Sequence, residues 1–282
     1  MSRSITIFCD GGLGNRLGSL VGGLLVANQL NITNIEICWP ANNWCGCYFQ
    51  DLFANTEFSI STATINEIFV ANTGKAFLVH ENQTNADLGI QLPQSVDSIT
   101  YLTQIPNNVV YYHNKIAPYM DPEMVLQLAN TLKPVEIIKQ QVQQFCQTHN
   151  IDRSCIGLHL RKTENYRLDD HKLFRRVSAS SEQKYFVCSD DMATEQKFCA
   201  LPNVISLPKT SYVSKLVDGD WLAETVDADG RRYNYNINRS RQSVVEAFVD
   251  MLILSQTTIH FTVKSSFSRF AEVFSKTQVV NG

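Results

Sequence analysis

The stretch from Ser4 to Trp39 restricts the fold more than any other part of the chain. SITIFC, residues 4–9, is a short apolar run with β-branched residues, the pattern of a strand buried on both faces. It breaks into DGGLGNRLGS, which places Gly11, Gly12, Gly14 and Gly18 directly behind the strand. Leu17, Leu20, Val21, Leu24 and Leu25 then recur at the spacing of one helix face. NIEICW, residues 34–39, is a second strand, stopped by Pro40. Strand, glycine turn, helix and strand make a βαβ unit, so the chain opens a parallel α/β sheet. A glycine-rich turn at such a junction also lets backbone N–H groups come close to a bound anion.

Residues 40–110 are less regular, with short apolar runs such as EIFVA and AFLVH among Asn, Thr and Gln. The helical period returns in DPEMVLQLANTLKP and VEIIKQQVQQFCQTHN. HNIDRS, residues 149–154, is a polar connector and divides an N-terminal Rossmann-like domain, 1–150, from a C-terminal one, 151–282. The second series runs CIGLHL, KYFVC and NVISL, three buried-strand patterns, followed by the polar DGDWLAETVDADGRRYNYN. An apolar helix from Ser240 to Ser255, a strand in IHFTV and a last helix in SSFSRFAEVFS complete it. The fold class expected is α/β, with two Rossmann-like domains facing across a cleft.

Composition narrows the partners. Hydrophobic residues make up 44% of the 282 and charged residues 18%, enough apolar content for a true core. A net charge of −3 points away from nucleic acid and from membrane surfaces. No apolar run approaches the roughly 18 residues of a membrane span, and MSRSITIFCDGG has no signal-like apolar region, so a cytoplasmic location is expected. The eight cysteines are then reduced, and Cys45 and Cys47 form a C-x-C without a second ligand pair at zinc spacing. Asp218-Gly-Asp220 and Asp227-Ala-Asp229 have the D-x-D form that can hold a divalent cation, but they sit in a polar loop stretch rather than at a strand end. No metal site is expected.

Five segments carry candidate chemistry. Gly12, Gly14 and Gly18 are close to a dinucleotide fingerprint, with Glu36 about twenty residues on. Glu36, however, falls within the second strand pattern, and Asn15-Arg16 crowds the helix start. In GLHLRKTEN, His159 and Arg161 are two apart and share one face at the C-terminal end of a strand, where ligands bind in open α/β sheets. Arg161 is a permanent cation suited to phosphate, or else a side chain reaching for solvent. YFVCSDD places Asp190 and Asp191 just past a strand, either to cap the next helix or to hold donors of a ligand. Asp250 interrupts the apolar VVEAFVDMLILSQ, and a carboxylate there needs a partner, in the protein or in a ligand. In TVKSSFSRF, Ser265 and Ser266 stand at a helix start, where free N–H groups meet an anion or a hydroxyl caps them.

Taken in order, GGLGNR, HLR, SDD, DMLILSQ and SSFS resemble the motifs of the GT-B-type fucosyltransferase superfamily, which includes nodulation, core α1,6- and protein O-fucosyltransferases. The resemblance covers roughly 5–30 and 155–275, and 31–150 matches nothing that can be placed. It implies that Arg161 is catalytic and holds the leaving diphosphate, that His159 meets the nucleotide and that Asp250 reads guanine. It further implies that Ser265, Ser266 and Phe267 bind phosphate, that Gly14 and Asn15 contact the donor, and that Asp190 and Asp191 belong to the donor side. The activity implied is inverting, metal-independent transfer of fucose from GDP-fucose to a glycan or other hydroxyl acceptor, with no cofactor beyond the donor. The alternatives are another GDP-sugar such as GDP-mannose, an NAD(P)-binding oxidoreductase, or a non-catalytic GDP-sugar-binding module. Glu36, Glu164, Asp169 and Asp170 are the acids available as a general base.

Overall fold

Strand β1 (Ser4–Phe8) passes through the glycine turn into helix α1 (Leu13–Gln29) and returns as β2 (Asn34–Cys38), which pairs parallel to β1 with Ser4 opposite Asn34 and Phe8 opposite Cys38. The computed structural model describes residues 3–72, 74–80, 102–104, 106–113, 121–163, 170–226, 232–260, 262 and 265–279. β3 (Ser59–Ser61), α2 (Ile65–Asn72), β4 (Ala76–His80) and β5 (Asn108–Tyr112) complete the first sheet, ordered β3-β2-β1-β5-β4 with every pairing parallel. EIFVA therefore lies in a helix and AFLVH is a strand. The two apolar runs look alike in sequence, but Thr64 and Glu67 bracket the first as a capping box, the Thr64 N–H donating to Glu67 at 2.7 Å.

α3 (Pro122–Asn130) starts with Asp121 accepting from the Glu123 N–H and a proline in its first turn. α4 (Glu136–His149) ends where Asn150 adopts a left-handed φ of 48°. In the connector that follows, the Arg153 guanidinium donates to the Thr257 and Ser275 carbonyls. β6 (Ile156–Leu160), α5 (Asp170–Ala179), β7 (Tyr185–Ser189), α6 (Met192–Cys199) and β8 (Val204–Ile205) come next. An antiparallel pair, β9 (Thr225–Val226) and β10 (Arg232–Tyr233), precedes α7 (Arg241–Ser255), β11 (Thr258–His260) and α8 (Ser266–Ser275). The second sheet is β11-β6-β7-β8, again all parallel. Of the NVISL pattern only Val204 and Ile205 pair as strand.

The helices of the two sheets share one apolar core. α1 packs on β1, α3 and α8, while α7 packs on α4 and α8. α1 is consequently buried on nearly every face rather than along one stripe, and α7 is buried from Phe248 through Ser255, Asp250 included. Gly23 allows this on the β1 side, because a Cβ there would lie 2.6 Å from Ile7. The consequence for the site is that α1 and α8, from opposite ends of the chain, are held against each other at their N-termini.

Candidate active site

A cleft of about 1080 Å³ opens between the start of α1, the ends of β6 and β7, one face of α7 and the start of α8. Its floor is α7: Ser243, Val244, Ala247 and Asp250 line it, which is the i, i+1, i+4, i+7 spacing of a single helix face. Gly12 is the N-cap of α1 and supplies no side-chain cap, so N–H groups of the first turn are left for something else. Gly14 is glycine for a steric reason, since a Cβ would meet the Phe267 nitrogen and the Ser266 carbonyl carbon at 2.6 Å. The two helix N-termini thereby meet on one wall of the cleft. Asn15 lines the same wall. Arg16 does not: it is fully buried, donates to the Gly11 carbonyl at 2.9 Å and lies 5.1 Å from the Trp39 ring centroid.

Ser265, Ser266, Phe267, His159 and Arg161 all line the cleft. Ser265 is the N-cap of α8, its hydroxyl accepting from the Ser268 N–H at 3.1 Å. His159 stacks on Phe267 with ring centroids 4.5 Å apart, and its Nδ1 lies 2.9 Å from the Ser268 hydroxyl. Burial, and then the neighbouring Arg161 charge, push the His159 pKa down to about 3, so the imidazole is neutral.

The two aspartates of the SDD turn have other tasks. Asp190 lines the cleft, but its carboxylate accepts from the Lys162 N–H at 2.8 Å and from the amide and hydroxyl of Thr163. It fixes the segment that carries Arg161. Asp191 is the N-cap of α6, accepting from the Thr194 N–H at 2.8 Å, and is not among the residues lining the cleft. The cap is thus Asp191, and of the two aspartates only Asp190 lines the cleft.

Asp250 is 2% exposed and sits at the inner end of the floor. Its Oδ2 accepts from Lys209 Nζ at 2.7 Å, whereas Oδ1 is buried without a partner. Lys209 also donates to Glu195 and to the Ser189 carbonyl, and Glu195 in turn accepts from the Ser189 N–H at 2.8 Å and the Tyr212 hydroxyl at 2.7 Å. Burial pushes the Asp250 carboxyl up to about 7 against the pull of Lys209, with Glu195 adding to the rise. Burial also opposes the Lys209 charge, but Asp250 and Glu195 outweigh it and hold the ammonium well above its usual range. Sharing between two carboxylates thus raises Lys209, whereas Asp250 is raised chiefly by its burial. Lys209, Glu195 and Tyr212 escape sequence reasoning; the one signal for them is that Asp250 had to have a partner.

The remaining candidates lie elsewhere. Glu36 is spent within the β1–β2 pair, accepting from the Thr6 hydroxyl at 3.0 Å, and does not line the cleft. Asp170 is paired with Lys162, and Glu164 and Asp169 lie outside the described residues. Asp218 and Asp220 are in an exposed loop, while Asp227 and Asp229 lie outside the described residues. Cys45 and Cys47 are buried with their sulfurs 3.7 Å apart. Among the described residues no group of three His, Cys, Asp or Glu side chains could hold a metal ion, and no helix is long and apolar enough to cross a membrane.

Comparison with known proteins finds no matching family model and no curated protein of similar sequence. The fold does match solved structures. Fucosyltransferase NodZ from Bradyrhizobium superposes with a TM-score of 0.60 at 17% identity, covering 96% of this chain and 92% of that one. A mutant of Arabidopsis thaliana FUT1 in complex with GDP gives 0.54 at 10% identity, over 97% of this chain and 68% of that one. POFUT1 in complex with GDP gives 0.51 at 11% identity, over 98% and 95%. The chain, built on parallel α/β sheets, thus has the fold of the GT-B-type fucosyltransferases over nearly its whole length.

Proposed function

We propose that the protein transfers fucose from GDP-fucose to a hydroxyl of a glycan or similar acceptor, with inversion and without a metal ion. One observation carries this reading above the others: the buried, unpartnered Oδ1 of Asp250 at the inner end of the cleft floor. Guanine presents an N1–H and an exocyclic amine side by side, two donors for a carboxylate with free acceptor capacity. Adenine has no such pair, and Glu36, the acid an NAD-type site would need, is committed to Thr6. The N-termini of α1 and α8 supply N–H groups for the diphosphate, and the Ser266 hydroxyl supplies an O–H.

In the reaction, negative charge grows on the β-phosphate as the sugar becomes oxocarbenium-like and the acceptor oxygen closes on the opposite face. Arg161 supplies the counter-charge, held in place by Asp190 through Lys162 and Thr163. The Ser268 hydroxyl takes up Nδ1 of neutral His159, so Nε2 is the ring nitrogen left to meet the donor. These groups are fixed before the charge develops, which is what makes such donors effective.

The test is turnover of GDP-fucose, followed as GDP release and as sugar transferred. Arg161→Ala is expected to lower kcat about 10²–10³-fold, the loss typical of one preorganised donor, while EDTA leaves the rate unchanged. GDP-mannose turnover exceeding that of GDP-fucose would reassign the donor. GDP binding with no turnover of either sugar would make the chain a binding module.

A further inference from the structure

We infer that the wall of the cleft formed by Trp44 and Tyr235 is the acceptor subsite, and that it takes a pyranose ring of a carbohydrate; this rests on the reading of the cleft as a GDP-sugar site. Both rings line the cleft and both are half-buried. They meet nearly at right angles, with centroids 5.6 Å apart and planes at 87°, so together they make a corner rather than a stack. The Arg239 guanidinium lies over the Trp44 ring, 5.7 Å from its centroid, and the buried Tyr233 ring backs Trp44 at 6.0 Å and 47°.

The corner is built rigidly. The Trp44 N–H donates to the Asn42 side chain at 2.9 Å, closing a tight turn. The Arg239 N–H donates to the Asn43 carbonyl and the Gly46 N–H to the Arg239 carbonyl, each at 2.9 Å, so the turn is clipped to the segment leading into α7. Gly46 is required there, since a Cβ would stand 2.5 Å from the Arg239 carbonyl oxygen.

Its place in the cleft fits an acceptor. Gly12, on the α1 turn assigned to the diphosphate, would carry a Cβ 3.9 Å from the Trp44 carbonyl oxygen. The Trp44 turn thus adjoins the phosphate wall beside the N-terminal end of α7. Asp250 is seven residues along that helix from Ser243, about 10 Å at 1.5 Å per residue. The nucleoside and the aromatic corner are therefore at opposite ends of the floor, with the phosphates between them. A pyranose has an apolar C–H face and a rim of hydroxyls, which matches half-exposed rings edged by polar groups. At about 1080 Å³ the cleft is also larger than the usual 300–1,000 Å³ of a single small-ligand pocket.

Sugar binding is measured directly, in saturating GDP, by tryptophan fluorescence and by calorimetry. The probes are glucose, galactose, mannose and N-acetylglucosamine, with chitotriose and cellotriose as longer chains. At least one sugar is expected to bind. Trp44→Ala and Tyr235→Ala are expected to weaken it about tenfold or more, with GDP affinity unchanged, while Trp44→Phe, which keeps a ring, retains most of it. Unchanged GDP affinity also establishes that the variants are folded. No response to any probe in a protein that binds GDP overturns the inference and leaves the donor reading standing. Loss of GDP affinity in a folded Trp44→Ala would likewise overturn it, by giving the wall to the nucleotide. Failure of the unaltered protein to bind GDP would overturn the donor reading, and this inference with it.

Discussion

Asp250 has one oxygen committed to Lys209 and the other buried without a partner, so in the proposed reading its charge state and GDP binding are linked. Its carboxyl is raised to about 7, and guanine donors require the ionised form. GDP affinity should therefore rise as pH increases through about 7 and be nearly flat with pH in Asp250→Asn; calorimetry at several pH values checks this. The same substitution should weaken GDP about 10–100-fold, the scale of a lost hydrogen bond to a charged group. Folding responds with the opposite sign. A carboxyl whose folded pKa lies above its unfolded value lowers stability as pH rises between the two. Lys209→Met would leave Asp250 and Glu195 buried together without their cation, and a loss of about 3–5 kcal/mol is expected in chemical denaturation. Asp250 was legible in the sequence because an acid in an apolar helix demands an explanation. Lys209 was not, because a lysine after Pro208 in a polar run looks like any solvated side chain. Asp190 and Asp191 were legible as a pair but not in their division of labour, which depends on where the helix starts by a single residue.

Among the elements, the contact of α1 with α8 holds together the cleft wall proposed for the diphosphate, and Gly14 lies within that contact. Gly14→Ala would place a methyl 2.6 Å from backbone atoms of α8, which cannot yield as a flexible side chain would. We expect a stability loss of about 1–3 kcal/mol by denaturant titration, together with weaker GDP binding, since the two N-termini would no longer converge. The opening βαβ unit was readable because three independent signals coincide: a β-branched run, a glycine turn and a helical period. α2 was not, since EIFVA is five apolar-rich residues that suit a helix or a strand equally, and Thr64 and Glu67 decide it locally. Burial of α1 on all sides also escapes a one-stripe reading, because the helices that cover it come from residues 122–130 and 266–275.

At the scale of the molecule, two parallel sheets carry cleft-lining groups at the C-terminal ends of their strands, and helices from both close one cleft. This explains how five short motifs, each weak alone, report on a single place: β1 delivers the glycine turn, β6 delivers His159 and Arg161, β7 delivers Asp190, and α7 and α8 deliver Asp250 and the serine segment. The Trp44 wall was not legible, because it joins residue 44 to residue 235 through contacts that no local pattern encodes. The most direct measurement is calorimetric titration of the protein with GDP, ADP, UDP and NAD, with and without EDTA, alongside Asp250→Asn. The expected result is binding selective for GDP, indifferent to EDTA and weakened by the substitution. Equal binding of ADP, or binding of NAD in place of GDP, would contradict the assignment of the cleft to a guanosine diphosphate sugar.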